Sequence, residues 1–181
     1  MPKSTILWLD DQLVTHERIR VKRYSDFFDN LKSKVELIEA TGIDEMFDIL
    51  MDKKTNDQEI HGFLIDQLLT HNQTSQSFSR WGVPSLKLIH EIGGVQIVML
   101  FRHNKYRDER DDSNHPLSGI AQYYKDTKVA LLTAYLDGTD VLKGQGLSED
   151  CCDCFLKDED HIEEELIEWI NKRNPCHNNS L

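Results

Sequence analysis

The sequence predicts a single α/β domain on an open parallel sheet, and three observations carry that prediction. First, four apolar runs each stop abruptly at a polar group: Ile6-Leu7-Trp8-Leu9 before Asp10-Asp11, Phe63-Leu64-Ile65 before Asp66, Val129-Ala130-Leu131-Leu132 before Thr133, and Phe155-Leu156 before Lys157. Such runs read as strands buried on both faces whose last residue emerges at a polar site. Second, helical periodicity alternates with these runs in the order β-α-β-α-β, which calls for a parallel sheet with right-handed crossovers. Third, 181 residues make one domain of ordinary size, with room for a proper core.

Taken in order, Met1-Pro2-Lys3-Ser4 leads straight into the first strand without a signal-peptide pattern, and no apolar run approaches a membrane span. A soluble, cytoplasmic protein is expected. From Gln12 to Lys34, Tyr24, Phe27, Phe28 and Leu31 fall at helical spacing, while Arg18, Arg20, Lys22 and Arg23 read as a solvated face. Val35-Glu36-Leu37-Ile38 is the second strand. A helix opens at Thr41-Gly42 and buries Ile43, Met46, Phe47, Leu50 and Met51, one face at i, i+3, i+4, i+7, i+8. The strand ending at Asp66 follows.

After a polar loop over 70–80, Val83-Pro84-Ser85 starts a helix through Leu86, Ile89 and Ile92, which Gly93-Gly94 ends or interrupts. The run Val95 to Phe101 fits either a strand or a helix, because periodicity does not separate the two in so short a stretch. Residues 93–128 are expected as an insertion in the third crossover. Gly138, Gly144 and Gly146 punctuate the link to the fifth strand. The last helix has Asp158-Glu159-Asp160 at its start, Lys172 and Arg173 at its end and Pro175 beyond, with Ile162, Leu166, Trp169 and Ile170 as its buried stripe. The expected organisation is one domain over 1–175 and a polar tail over 176–181.

A net charge of −11 argues against a general nucleic-acid surface. Cys151 and Cys154 have C-x2-C spacing with Cys176-His177 behind them, but a second pair is lacking and adjacent Cys176 and His177 reach one tetrahedral ion poorly. Buried or idle thiols are the better account.

In an open parallel sheet, functional groups gather outside the carboxyl ends of the strands, so the four endings meet in one crevice. Asp10, Asp11 and Asp66 would repel one another there, and a divalent cation relieves the repulsion. Magnesium suits hard oxygen ligands and bridges carboxylates to phosphoryl groups. Asp66 is then a nucleophile toward phosphorus, with Lys157 as a point charge and Thr133 as a hydrogen-bond donor to phosphoryl oxygens. Phosphoryl transfer asks mainly for positioning and charge stabilisation, which this set supplies.

These residues resemble the receiver domains of two-component response regulators. The matching pieces are Ile6-Leu7-Trp8-Leu9-Asp10-Asp11, Phe63-Leu64-Ile65-Asp66, Leu131-Leu132-Thr133-Ala134 and Phe155-Leu156-Lys157. The resemblance implies a flavodoxin-like three-layer sandwich with a five-stranded parallel sheet in the order 2-1-3-4-5. It implies Asp66 as phosphoacceptor and Mg2+ held by Asp10, Asp11, Asp66 and the backbone carbonyl of Leu68. Thr133 and Lys157 would stabilise the phosphoryl group, with Ala134 as the small residue beside it. A sensor histidine kinase or phosphotransfer protein would be the donor. The chain would be a phosphoacceptor rather than an enzyme beyond its own phosphorylation and dephosphorylation, and it would signal by contact with a protein partner, no output domain following. Several features depart from the pattern. Asp158 stands where proline usually follows the lysine, and Cys154 occupies the aromatic switch position. The interval from position 66 to position 133 is about twice the usual one, whereas that from 133 to 157 is ordinary.

Two other functions fit less of the sequence. One is a degenerate receiver that works as a protein-interaction adaptor without phosphorylation. The other is an aspartate-nucleophile phosphatase similar to the haloacid dehalogenases, with Asp10 as nucleophile; Gln12 stands where its second aspartate would be.

Overall fold

The structure, a computed structural model, describes residues 3–10, 30–67, 69, 93–103, 116–133, 152–156 and 161–172. Five strands form one sheet: β1 (Thr5–Leu9), β2 (Glu36–Ala40), β3 (Gly62–Asp66), β4 (Lys128–Thr133) and β5 (Asp153–Leu156), in the order β2-β1-β3-β4-β5. Every pairing is parallel. This is the flavodoxin-like order, with its topological switch point between β1 and β3. The second strand lies slightly later than the sequence predicts. Val35 precedes the ladder, with its amide bonded to the carbonyl of Leu31, and pairing runs on through Glu39 and Ala40.

Alternation along the strands divides the core into two layers. On one face Leu7, Leu9, Phe63, Ile65, Val129 and Leu131 pack under α1 (Ile43–Thr55), α2 (Gly93–His103) and α3 (Pro116–Tyr123). Phe63 stacks on Phe101 with ring centroids 4.8 Å apart and meets Tyr124 edge-on at 5.6 Å. On the other face Ile6, Trp8, Leu64, Ala130 and Leu132 pack against Leu31, Val35 and the buried stripe Leu166, Trp169 and Ile170 of α4 (Ile162–Asn171). Two helical layers around a parallel sheet explain why β1 and β3 are apolar without alternation: both faces are covered.

The apolar run Val95 to Phe101 is helical, and Gly93 and Gly94 belong to the same described helix. Its buried residues Val95, Ile97, Val98, Leu100 and Phe101 lie nearly all round it, so no clean polar stripe betrays a helix in the sequence. Within the stretch expected as an insertion, α2 and α3 both bury residues in the core under the sheet, and Lys128 at its far end is the first residue of β4. Arg102 caps the turn after α3 by donating to the carbonyls of Lys125 at 2.5 Å and Thr127 at 2.9 Å. Lys54 ties the end of α1 to α3 through the Gly119 carbonyl at 2.9 Å. The expected helices over Gln12 to Asp29 and Val83 to Ile92, and the glycine-punctuated link after Thr133, lie outside the described residues.

Candidate functional site

Asp10, Asp66 and Thr133 stand at the carboxyl ends of three neighbouring strands. Asp10 follows the last residue of β1, Asp66 is the last of β3, and Thr133 is the last of β4. Leu9 pairs with Ile65, so one step further along both chains sets Asp10 beside Asp66. Neighbouring strands are about 4.8 Å apart, which brings these backbones together at the switch point. Thr133 lies one residue beyond Leu132, the partner of Asp66. All three are buried, with 1%, 4% and 2% of their surfaces exposed.

The backbone fixes these positions firmly. The amide of Asp10 donates to the carbonyl of Ala40 at 3.1 Å, extending the β1–β2 ladder past its last strand residue. The amide of Gln67 donates to the carbonyl of Leu132 at 2.9 Å and does the same for β3 and β4. The start of α2 closes on the same place, since the amide of Gly94 approaches the carbonyl of Gln67 at 3.3 Å. A Cβ at position 94 would stand 2.3 Å from the carbonyl oxygen of Asp66, so only glycine admits this approach. Sequence reasoning read Gly93-Gly94 as punctuation and missed this role. The doubled glycine was the available signal, since an isolated helix breaker needs only one.

Gln67 is a second residue that the sequence did not single out. It is 5% exposed, and its side-chain Oε1 is buried with no hydrogen-bond partner among the described residues. Nothing in an apolar run ending at Asp66 marks the following glutamine as buried.

Of the other predicted site residues, Asp11, Leu68, Ala134 and Lys157 lie outside the described residues. Cys154 is in β5, half-buried, paired in register with Leu131 of β4. Among the described residues no group of three or more His, Cys, Asp or Glu side chains forms a metal cluster. The two described members of the predicted magnesium set nevertheless fit that ion. Buried carboxylates on adjacent strand ends supply hard oxygens of one charge sign, the donor chemistry Mg2+ selects. No helix among the described residues is long and apolar enough to cross a membrane.

No protein-family model matches the sequence, and no curated protein does. Among solved structures the chain is similar to a response regulator from Thermotoga maritima, at 16% identity over 94% of this chain and 99% of that one, with a TM-score of 0.48. It is similar to a response regulator receiver domain protein from Clostridium thermocellum, at 15% identity over 93% of this chain and 91% of that one, TM-score 0.47. A third is the receiver domain of a Francisella response regulator, at 16% identity over 93% of each chain, TM-score 0.45. At these identities and scores the likenesses add nothing to a functional assignment, and the fold stands on its own strand order and register.

Proposed function

We propose that the chain is a response-regulator receiver that accepts a phosphoryl group on Asp66 from a phosphohistidine of a sensor kinase or phosphotransfer protein. The observation that carries this reading is the burial of Asp10 and Asp66 side by side at the β1/β3 switch point, with Thr133 ending the next strand. Carboxylates at the ends of adjacent strands at a switch point are the arrangement a phosphoacceptor and its magnesium ligands require.

In this reading a carboxylate oxygen of Asp66 attacks phosphorus, the new O–P bond forms as the P–N bond of the donor breaks, and the freed imidazole takes up a proton. The product is an acyl phosphate. Thr133 donates its hydroxyl to one phosphoryl oxygen and Lys157 sets its ammonium against another. Asp10, Asp11, Asp66 and the Leu68 carbonyl hold Mg2+, which when bound neutralises charge on the transferring group. The rigid ladder bonds at Asp10 and Gln67 keep the two strand ends in line, so positioning is supplied before the donor arrives. Output passes to a protein partner through a shift between two conformations biased by the added charge.

The test is intact mass after incubation with acetyl phosphate, with and without Mg2+, for wild type and Asp66→Asn. One phosphoryl group gained by wild type only with magnesium, and none by the variant, is the expected result. Folded wild type that gains nothing under any condition would overturn the reading and leave a phosphorylation-independent adaptor. A gain that survives in Asp66→Asn would move the acceptor elsewhere.

A further inference from the structure

Cys152 and Cys154 flank Asp153, the first residue of β5. Residues two apart in extended chain share a face. Cys152 belongs to the core beneath α1, α2 and α3 and is 5% exposed, while Cys154 packs against that core from a half-buried position. Asp153 between them accepts the indole N–H of Trp169 at 2.7 Å, on the α4 side of the sheet. That bond fixes which way the strand faces and holds both thiols on the opposite side. The Cys152 thiol donates to the Asp153 carbonyl at 3.2 Å, and both cysteines are free rather than joined in a disulfide.

Closure asks Cys152 to move toward Cys154. Two steps of strand separate Cα atoms by about 6.6 Å, at the upper end of the roughly 4.4–6.8 Å that a disulfide spans. Cys152 precedes the first ladder pair, Ala130 with Asp153, so the movement falls at the end of the strand rather than within it. A bridge at the edge of the allowed span is strained and readily reduced, which suits a reversible bond.

We propose that Cys152 and Cys154 form a redox-active dithiol that closes to an intramolecular disulfide when the protein meets a hydroperoxide. Exposure assigns the roles. The sulfur of Cys154, the more accessible, attacks the peroxide; an S–O bond forms, the O–O bond breaks, and the leaving oxygen departs as water or alcohol, leaving a sulfenic acid. The sulfur of Cys152 then attacks that of Cys154. The S–S bond forms, the S–O bond breaks, and hydroxide leaves with the Cys152 proton as water. The neighbouring Cys154 thiol and burial push the Cys152 thiol well up from its ordinary value, which keeps it protonated and disfavours it as the first attacker. The proposed phosphoryl chemistry uses neither sulfur.

The experiment treats the full chain with hydrogen peroxide, blocks remaining thiols with N-ethylmaleimide, and maps the products by non-reducing peptide mass analysis. The expected product is a single peptide lighter by two hydrogens, with Cys152 and Cys154 both unblocked, restored by dithiothreitol. A Cys151→Ser/Cys176→Ser chain should give the same product, which excludes the neighbouring thiols. Cys152→Ser should instead carry Cys154 to a sulfinic acid or an intermolecular disulfide. Both thiols remaining open to the maleimide after peroxide, or Cys154 overoxidised in wild type with Cys152 still free, would overturn the proposal.

Discussion

The two ends of the sheet use polar groups in opposite ways. At the amino ends of the strands, polar side chains terminate on protein atoms that explain them. Lys128, first residue of β4, donates to the Trp169 carbonyl at 2.8 Å and lies over its ring, and His61 Nδ1 accepts the Thr5 amide at 3.0 Å. Nearby, the Tyr124 hydroxyl donates to the Leu50 carbonyl at 3.2 Å. Each contact joins elements distant in sequence. At the carboxyl ends, two acids and a hydroxyl are buried on three successive strands. The amino end is arranged as a clasp between layers. The carboxyl end gathers oxygen-bearing side chains at the switch point, where open parallel sheets place their ligands.

If that contrast is right, substitutions at the two ends should separate stability from chemistry. The largest effect belongs to the clasp. Trp169 packs over Gly62, where a Cβ would meet its ring at 3.0 Å, donates its indole N–H to Asp153 and takes the Lys128 ammonium over its ring at 5.7 Å, so Trp169→Ala should cost about 3–5 kcal/mol in urea denaturation. At the other end, Asp66→Asn should keep stability in metal-free buffer within about 1 kcal/mol of wild type while abolishing the phosphoryl gain. An equal loss at both ends would end the comparison.

A smaller effect sharpens it. Magnesium at about ten times its dissociation constant should raise wild-type stability by about 1.4 kcal/mol and leave Asp66→Asn and Asp10→Asn nearly unmoved, as read by denaturant midpoint. Smallest is Tyr124→Phe, which removes one buried hydrogen bond and should cost about 1 kcal/mol. It also has a pH signature. Burial first, and Tyr123 second, push the Tyr124 phenol well above its ordinary value of 10.0. A group raised in the folded state stabilises fully below the unfolded value and loses that contribution as pH rises past it. Wild-type stability should therefore fall from about pH 10 upward, and Tyr124→Phe should lose less over the same range.

How far the sequence revealed this arrangement depended on whether a signal was local. Strands β1, β3 and β4 were legible because burial on both faces leaves an uninterrupted apolar run that stops at a polar residue. Helices α1 and α4 were legible because each buries one stripe, Ile43, Met46, Phe47 and Leu50 in the first and Leu166, Trp169 and Ile170 in the second. Helix α2 was not, since its apolar surface meets both the sheet and α3 and no period survives. Asp10, Asp66 and Thr133 could be placed as strand endings, and the structure brings these three together. The approach of Gly94 to Asp66, the burial of Gln67 and the seat of Trp169 on Gly62 are contacts between distant segments, which no window of sequence contains.

The register of the sheet also bears on how fast the molecule can fold. No two neighbouring strands are joined by a hairpin, and the longest closure is between β3 and β4, where Gly62 meets Lys128, against Ala130 with Asp153 for β4 and β5. A loop nearly three times as long adds only about 0.9 kcal/mol of closure entropy, but every ladder is non-local, which makes for slow folding. Asp66 and Thr133 lie diagonally across that longest closure, Thr133 one residue beyond the partner of Asp66. The strand pairing that sets Thr133 beside Asp66 is thus the most distant in sequence among the described strands.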